Sequence, residues 1–193
     1  MVSNRRFPPL IAMLFALAFA PAVANDRVLT LQDAAKELSQ GGFVLMMRHA
    51  ITVPGVGDPD GFKLDQCSTQ RNLSDIGRAQ AKRIGQDIAA AGISFSAVRA
   101  SQWCRCVDTA TIAFSQATPW KALNSFFANR STERKQTREL HQAASQLAPG
   151  SNVIWVTHQV NISAALGTYA GQGEIVVARP VAGKLKTAFR IQP

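Results

Sequence analysis

The stretch FVLMMRHA, residues 43–50, is an apolar run that ends on an arginine and a histidine. A run of Phe, Val, Leu and Met with no charge in its interior is typical of a strand that is covered on both faces, as in parallel sheets. In open α/β sheets, ligands bind just beyond the carboxyl ends of such strands. Arg48 and His49 come at that end, so they are the first candidates for a functional site.

Two further predicted strands also end on polar groups. A second apolar run, NVIWVTH, ends on His158. A shorter strand over residues 95–100 is followed by Ser101 and, about one helical turn later, by Arg105. Because parallel strands end at the same edge of a sheet, we expect two imidazoles and two guanidinium groups to share one pocket there.

These side chains suit a phosphate group. The planar fork of an arginine donates two parallel hydrogen bonds to phosphate and stays charged, and Arg105 would add the positive end of a helix dipole. A neutral imidazole is a competent nucleophile toward phosphorus. A second, protonated imidazole would stabilise the phosphoryl oxygens during transfer.

The rest of the chain alternates between strands and helices. Helical spacing predicts helices over residues 29–39, 75–91, 104–114, 133–147 and 160–168. Thr30 is a candidate N-cap of the first, and Ser74 precedes the second. Closing strands are predicted over 174–179 and 185–191. This alternation is typical of an α/β sandwich with a mostly parallel sheet.

The first residues have the pattern of a secretory signal peptide. Arg5 and Arg6 precede a short apolar segment, residues 10–20, and residues 22–24 read Ala-Val-Ala. The pattern predicts cleavage after Ala24, a single domain over 25–193, and a periplasmic or secreted protein with no stable membrane insertion after cleavage. The alternative is an uncleaved anchor, for which the apolar segment is short.

The chain is basic, with a formal charge of +9 that falls to +7 when the two arginines of the signal peptide are removed. Basic chains bind nucleic acid, anionic membrane surfaces or small anionic substrates. The basic residues are scattered and are not interleaved with aromatic residues, so the sequence does not predict a nucleic-acid-binding surface. We expect most of these charges to lie on solvated helix faces.

Three cysteines lie in this chain, which is predicted to be exported: Cys67, Cys104 and Cys106. An oxidising compartment favours one disulfide. Since Cys104 and Cys106 are too close in sequence to pair comfortably, we expect Cys67 to pair with one of them. Three buried, reduced thiols are the alternative. The C-x-C spacing without a neighbouring histidine does not form a recognisable zinc motif.

Four segments together resemble the histidine phosphatase superfamily: LMMRHA, RNLSDIGRAQA, SQWCRCVDTA and VIWVTHQ. The resemblance covers nearly all of the chain after the signal peptide. It implies the phosphoglycerate-mutase-like fold, a three-layer α/β/α sandwich. It also implies that His49 is transiently phosphorylated and that Arg48, Arg105 and His158 complete the phosphate pocket, with no metal ion and no other cofactor.

The sequence departs from this superfamily at two site positions. Ala50 stands where the superfamily usually has glycine, which would narrow the floor of the pocket by one methyl group. Gln159 follows the second histidine where smaller residues are common, so we expect its side chain to reach the substrate.

The proton donor for the leaving group is the third departure. Many members carry a glutamate soon after a short strand, but the comparable stretch here, residues 123–125, reads Leu-Asn-Ser and places Ser125 there. Glu133 and Glu139 follow on a predicted helix, and Glu133 is the candidate acid. Gln159 excludes the aspartate that another branch of the superfamily uses after the second histidine.

The sequence therefore predicts an exported phosphatase that acts through a phosphohistidine intermediate. Its substrate would be a phosphorylated small molecule or a cell-envelope component: a phosphomonoester, or a phosphohistidine or phosphoanhydride with a better leaving group. The alternative is a protein that binds phosphate or a phosphorylated ligand without turnover. A mutase fits less well, because export removes the chain from phosphoglycerate metabolism.

Overall fold

The computed structural model describes residues 27–191, so the predicted signal peptide lies outside the described residues. Within that range the chain forms seven strands and five α-helices. The strands are β1 (Val28–Leu29), β2 (Phe43–Arg48), β3 (Ala97–Ala100), β4 (Thr118–Pro119), β5 (Asn152–Thr157), β6 (Ile175–Val181) and β7 (Lys184–Ile191). The helices are α1 (Leu31–Leu38), α2 (Asp75–Ala90), α3 (Cys104–Phe114), α4 (Glu133–Ser145) and α5 (Gln159–Leu166).

All seven strands of the described range belong to one mixed sheet in the order β1-β7-β6-β2-β5-β3-β4. β2, β5, β3 and β4 are mutually parallel, and β1 is parallel to β7. β6 runs antiparallel to both β2 and β7. The predicted mostly parallel sheet is confirmed.

Apolar side chains cover both faces of the sheet, which is why β2 reads as an unbroken apolar run. One face packs against α1, α2 and α3, and the other packs against α4, α5 and the short 3-10 helix Lys121–Leu123. This is the three-layer α/β/α sandwich that the resemblance implies. None of the helices in residues 27–191 is long and apolar enough to cross a membrane.

The register of the sheet brings the polar strand ends together. Arg48, the last residue of β2, is paired with Thr157, the last residue of β5. Ala100, at the end of β3, is paired with Val156. Because these three neighbouring strands end within one residue of each other, His49, Ser101 and His158 follow at the same edge of the sheet.

The capping prediction at Thr30 is confirmed, Ser74 caps α2 in the same way, and two short strands were not predicted. The side chain of Thr30 accepts a hydrogen bond from the Asp33 N–H, and that of Ser74 accepts one from the Gly77 N–H, as N-caps do. β1 and β4 have only two residues each. Segments of that length are too short to show an alternating pattern, and they exist because they pair with distant strands.

One disulfide joins Cys67 to Cys104 and closes a segment with a sequence separation of 37 residues. It links the short 3-10 helix Cys67–Thr69, ahead of α2, to the first residue of α3. The prediction that Cys67 pairs with one of the two later cysteines is confirmed. Cys106 is free and buried.

Removing this bridge is expected to lower the free energy of unfolding by about 3–4 kcal/mol, because the bridge restricts the unfolded chain. Chemical denaturation of the wild type and of a Cys67→Ala/Cys104→Ala variant, each with and without a thiol reductant, measures the loss. The reductant should destabilise the wild type and leave the variant unchanged. A wild type whose stability does not respond to the reductant would contradict the prediction.

Candidate active site

His49 lies at the end of β2, buried in the pocket that the strand ends form. Its backbone N–H donates to the Thr157 carbonyl at 3.0 Å, which ties the residue to β5. The rings of His49 and His158 lie edge to face with their centroids 5.5 Å apart. The structure therefore brings together the two imidazoles that the sequence places at separate strand ends.

The surroundings of His49 suit a nucleophile. Its Nδ1 lies 2.8 Å from the carbonyl oxygen of Ala50, so Nδ1 carries the proton and Nε2 keeps a free lone pair. Burial lowers the pKa of His49 to about 3, and the positive charges of Arg105 and Arg48 act in the same direction. The imidazole is therefore neutral at neutral pH, which is the form that attacks phosphorus.

His158 is held from one side by α3 and by the segment before it. Its Nε2 lies 2.8 Å from Ser101 Oγ and 3.5 Å from Cys106 Sγ, and its ring lies against the indole of Trp103. Burial, followed by the charge of Arg105, holds the pKa of His158 well below its usual range. The imidazole that was expected to be protonated is thus neutral in this structure, and an incoming negative charge would raise its pKa.

Arg48 turns from the end of β2 toward the loop before β6. Its Nη1 donates to Tyr169 Oη and to the Ala170 carbonyl, both at 3.0 Å, and its guanidinium carbon lies 5.7 Å from the centre of the Tyr169 ring. These contacts fix the direction of the guanidinium group. Tyr169 is mostly exposed, so Arg48 lies close to the mouth of the pocket.

Sequence reasoning missed two charged residues beside the predicted ones, Arg71 and Asp58. Burial lowers the pKa of Arg71, and the nearby charge of Arg105 adds to the effect. Asp58 forms a buried ion pair with Arg105. Arg71 is the first residue of the quoted segment RNLSDIGRAQA, so that segment could have pointed to it, whereas Asp58 lies in the aperiodic loop after β2, where no sequence pattern marks it.

Several other residues of the quoted segments position the pocket. A Cβ at Gly77 would lie 1.7 Å from the Ile51 carbonyl oxygen, so only glycine lets α2 approach the loop after β2 this closely. Gln80 accepts a hydrogen bond from the Ile51 N–H. Thr109 Oγ1 accepts one from the Ala50 N–H and donates to the Arg105 carbonyl. Hydrogen bonds from α2 and α3 therefore hold the backbone that follows His49 in place.

The stretch at residues 123–125, where the superfamily often has its acid, contacts the serine that hydrogen-bonds to His158. Asn124 is buried, and its Oδ1 accepts hydrogen bonds from the Gln102 N–H at 2.9 Å and from Ser101 Oγ at 3.3 Å. Asn124 thus holds the serine that contacts His158. Ser125 accepts a hydrogen bond from the Phe127 N–H.

The two remaining candidates have partners elsewhere. Glu133 is half-buried at the start of α4, where it pairs with Arg130 at 2.6 Å. The side chain of Gln159 donates to Ser163 Oγ and to the Thr168 carbonyl and accepts from the Ala170 N–H. Gln159 therefore supports the loop that holds Arg48, and its role as a substrate contact stays a prediction.

No protein-family model matches the sequence, and no curated protein sequence matches it either. Solved structures do match. The protein histidine phosphatase SixA, in a tungstate complex, superposes with a TM-score of 0.54 at 12% identity, covering 78% of this chain and 97% of the other. The chain has the histidine phosphatase fold.

Other structures of the histidine phosphatase fold match to a similar degree. A putative phosphohistidine phosphatase SixA from Agrobacterium tumefaciens has 18% identity and a TM-score of 0.52, with coverage of 79% of this chain and 99% of the other. A putative α-ribazole-5′-P phosphatase from Escherichia coli has 14% identity and a TM-score of 0.55, with coverage of 76% and 94%. At these identities the likeness concerns the fold, and the chemistry of this chain has to be argued from its own site.

Proposed function

We propose that this chain is a phosphatase that passes a phosphoryl group from its substrate to His49 and then to water. The observation that carries the proposal is the neutral imidazole of His49, with Nε2 unprotonated, beside the guanidinium groups of Arg48, Arg71 and Arg105. A buried nucleophile surrounded by positive charge is suited to an anionic phosphoryl group.

The reaction proceeds in two steps. The lone pair of His49 Nε2 attacks phosphorus, and the bond to the leaving group breaks. The Nδ1–H of the phosphorylated ring keeps its hydrogen bond to Ala50, which stabilises the positive charge on the ring. Water then attacks phosphorus, the P–N bond breaks, and orthophosphate is released. The arginines and His158 stabilise the phosphoryl oxygens in both steps.

The ionised states of Glu133 and Asp58 favour substrates with good leaving groups. Glu133 is half-buried, and its hydrogen bond from Arg130 lowers its pKa. Asp58 is ionised in its pair with Arg105. Neither holds a proton at neutral pH, so a poor leaving group would depart without acid assistance. Among the predicted substrates we therefore favour phosphohistidine and phosphoanhydrides over alkyl phosphomonoesters.

Turnover is expected to fall steeply as the pKa of the leaving group rises, because neither Glu133 nor Asp58 holds a proton to donate to it. Orthophosphate release from a series of aryl phosphates, from an alkyl phosphate, from pyrophosphate and from a phosphohistidine peptide measures this dependence. Glu133→Gln should show the same dependence of turnover on leaving-group pKa as the wild type, and so should the control Glu139→Gln. A Glu133→Gln loss confined to poor leaving groups would make Glu133 the acid. Orthophosphate binding without turnover of any substrate would indicate the non-catalytic alternative.

We also propose that the protein acts outside the cytoplasm, with a mature chain that begins at Asn25. The bridge between Cys67 and Cys104 supports this, since structural disulfides form mainly in oxidising compartments. The intact mass of the protein from its native compartment tests the proposed start.

A further inference from the structure

Asp58 lies in the loop after β2, and its carboxylate has four hydrogen-bond donors. Oδ1 accepts from Arg105 Nη1 at 2.7 Å and from the Arg71 N–H at 3.0 Å. Oδ2 accepts from Arg105 Nη2 at 3.1 Å and from Trp103 Nε1 at 2.9 Å. The side chains of Asp58 and Arg105 are only 8% and 4% exposed. The pair is therefore a buried, two-pronged contact to the end of the guanidinium group.

Asp58 is charged in this contact. Burial by itself would raise its pKa, but the hydrogen bonds and the charge of Arg105 outweigh burial and hold the pKa of Asp58 below its usual range. Breaking one side of such a buried ion pair leaves the other charge without compensation, which is strongly unfavourable. Asp58 and Arg105 therefore act as one unit.

Asp58 binds the two Nη atoms of Arg105 and leaves the Nε atom without a partner in the described part of the chain. This Nε–H is buried and has no hydrogen-bond partner within residues 27–191, and the same is true of the Nε–H groups of Arg48 and Arg71. A buried donor on a charged group that lacks an acceptor is strongly unfavourable. Three such donors on three neighbouring arginines indicate a place for an anion.

The charges of the site agree with this. His49 and His158 are neutral, and within the described range Asp58 is the carboxylate that pairs with one of the three guanidinium groups. Two positive charges are thus left in excess. A phosphomonoester is close to a dianion at neutral pH, so with Asp58 in place the site balances its charge.

We propose that Asp58 is a positioning residue of the phosphate site. Its carboxylate binds Nη1 and Nη2 of Arg105, so that the Nε–H of Arg105 faces the phosphoryl group. This rests on the proposed function, in which Arg105 binds that group. The competing interpretation is that Asp58 occupies Arg105 in place of the substrate and has to leave first. The two interpretations predict opposite effects when the carboxylate is removed.

The test compares the wild type, Asp58→Asn and the control Asp60→Asn, an exposed acid of the same loop. Isothermal titration with orthophosphate gives the Kd, and hydrolysis of 4-nitrophenyl phosphate gives kcat and KM. We expect Asp58→Asn to bind orthophosphate about tenfold more weakly and to lose about tenfold or more in kcat/KM, as one charge-assisted contact is worth. Asp60→Asn should match the wild type. Binding by Asp58→Asn that is equal to or tighter than that of the wild type would overturn the proposal.

A purely structural role is separated from positioning by chemical rescue. In Asp58→Gly, added formate supplies a carboxylate to Arg105, so kcat/KM should recover saturably with formate and not with chloride at the same ionic strength. A loss of activity that formate does not reverse would mean that Asp58 only holds the loop, and would overturn the proposal.

If neither Asp58 variant folds, as judged by near-UV circular dichroism, the proposal is tested by orthophosphate binding to Trp103→Phe. This substitution removes one donor to Asp58 and keeps a ring against His158, so weaker orthophosphate binding is expected and unchanged binding would overturn the proposal. A wild type that neither binds orthophosphate nor hydrolyses the aryl phosphate would instead refute the proposed function. A wild type that does both, with Asp58→Asn equal to it, would refute the role of Asp58 alone.

Discussion

Replacing His49 with alanine is expected to abolish turnover, because the second imidazole of the site, that of His158, has its Nε2 in contact with Ser101 Oγ at 2.8 Å. Orthophosphate release under saturating substrate measures the loss. When the wild type is mixed with phosphate-labelled substrate and quenched, the label should stay on a histidine, stable to alkali and lost in acid. The His49→Ala protein should retain no such label.

The matched control for this variant is His141→Ala. His141 is the one other histidine of the chain, and on α4 its Nδ1 accepts a hydrogen bond from the Leu185 N–H. This variant should keep both turnover and label. Wild-type turnover in His49→Ala, or a label on a different residue, would show that the site works by another route.

Replacing Arg105 with alanine is expected to lower kcat by about 10²–10³, the usual effect of losing one preorganised donor to the charge that develops in a transition state. The same change leaves Asp58 buried without its partner, so the protein should also lose stability. The kcat for an aryl phosphate and the thermal midpoint Tm measure the two effects separately.

A double variant separates the two losses further. In Arg105→Ala/Asp58→Asn no buried carboxylate is left unpaired, so Tm should recover while kcat stays low. Arg78→Ala, which breaks the more exposed pair with Asp108 at 3.1 Å, is the control and should keep wild-type kcat. Recovery of kcat together with Tm would mean that Arg105 has only a structural role.

The long elements could be predicted from the sequence because local pattern and burial agree in them. β2 and β5 are continuous apolar runs, and both kept their predicted positions to within a residue. The helix that carries Arg105 begins and ends where its spacing predicts. β1 exists through its pairing with β7, and a pairing between distant segments leaves no periodic signal in two residues.

The pocket was predicted as far as it depends on strand ends, and no further. Arg48, His49 and His158 follow from the rule that parallel strands end at a common edge. Asp58 does not, because its carboxylate meets Arg105 across 47 residues from a loop without any periodicity. The protonation state of His158 depends on its burial by the surrounding helices and strands. The sequence around His158 does not show that burial.

The free cysteine has a consequence for how durable the fold is after it forms. Thiol–disulfide exchange needs a thiolate as the attacking group. In the folded protein, burial raises the pKa of Cys106 to about 12, so its thiol cannot attack the bridge between Cys67 and Cys104 at neutral pH. In the unfolded chain the same thiol competes with Cys104 for Cys67. Once the protein has folded, Cys106 is no longer a thiolate and disulfide exchange stops. The Cys67–Cys104 pairing therefore persists because exchange is slow.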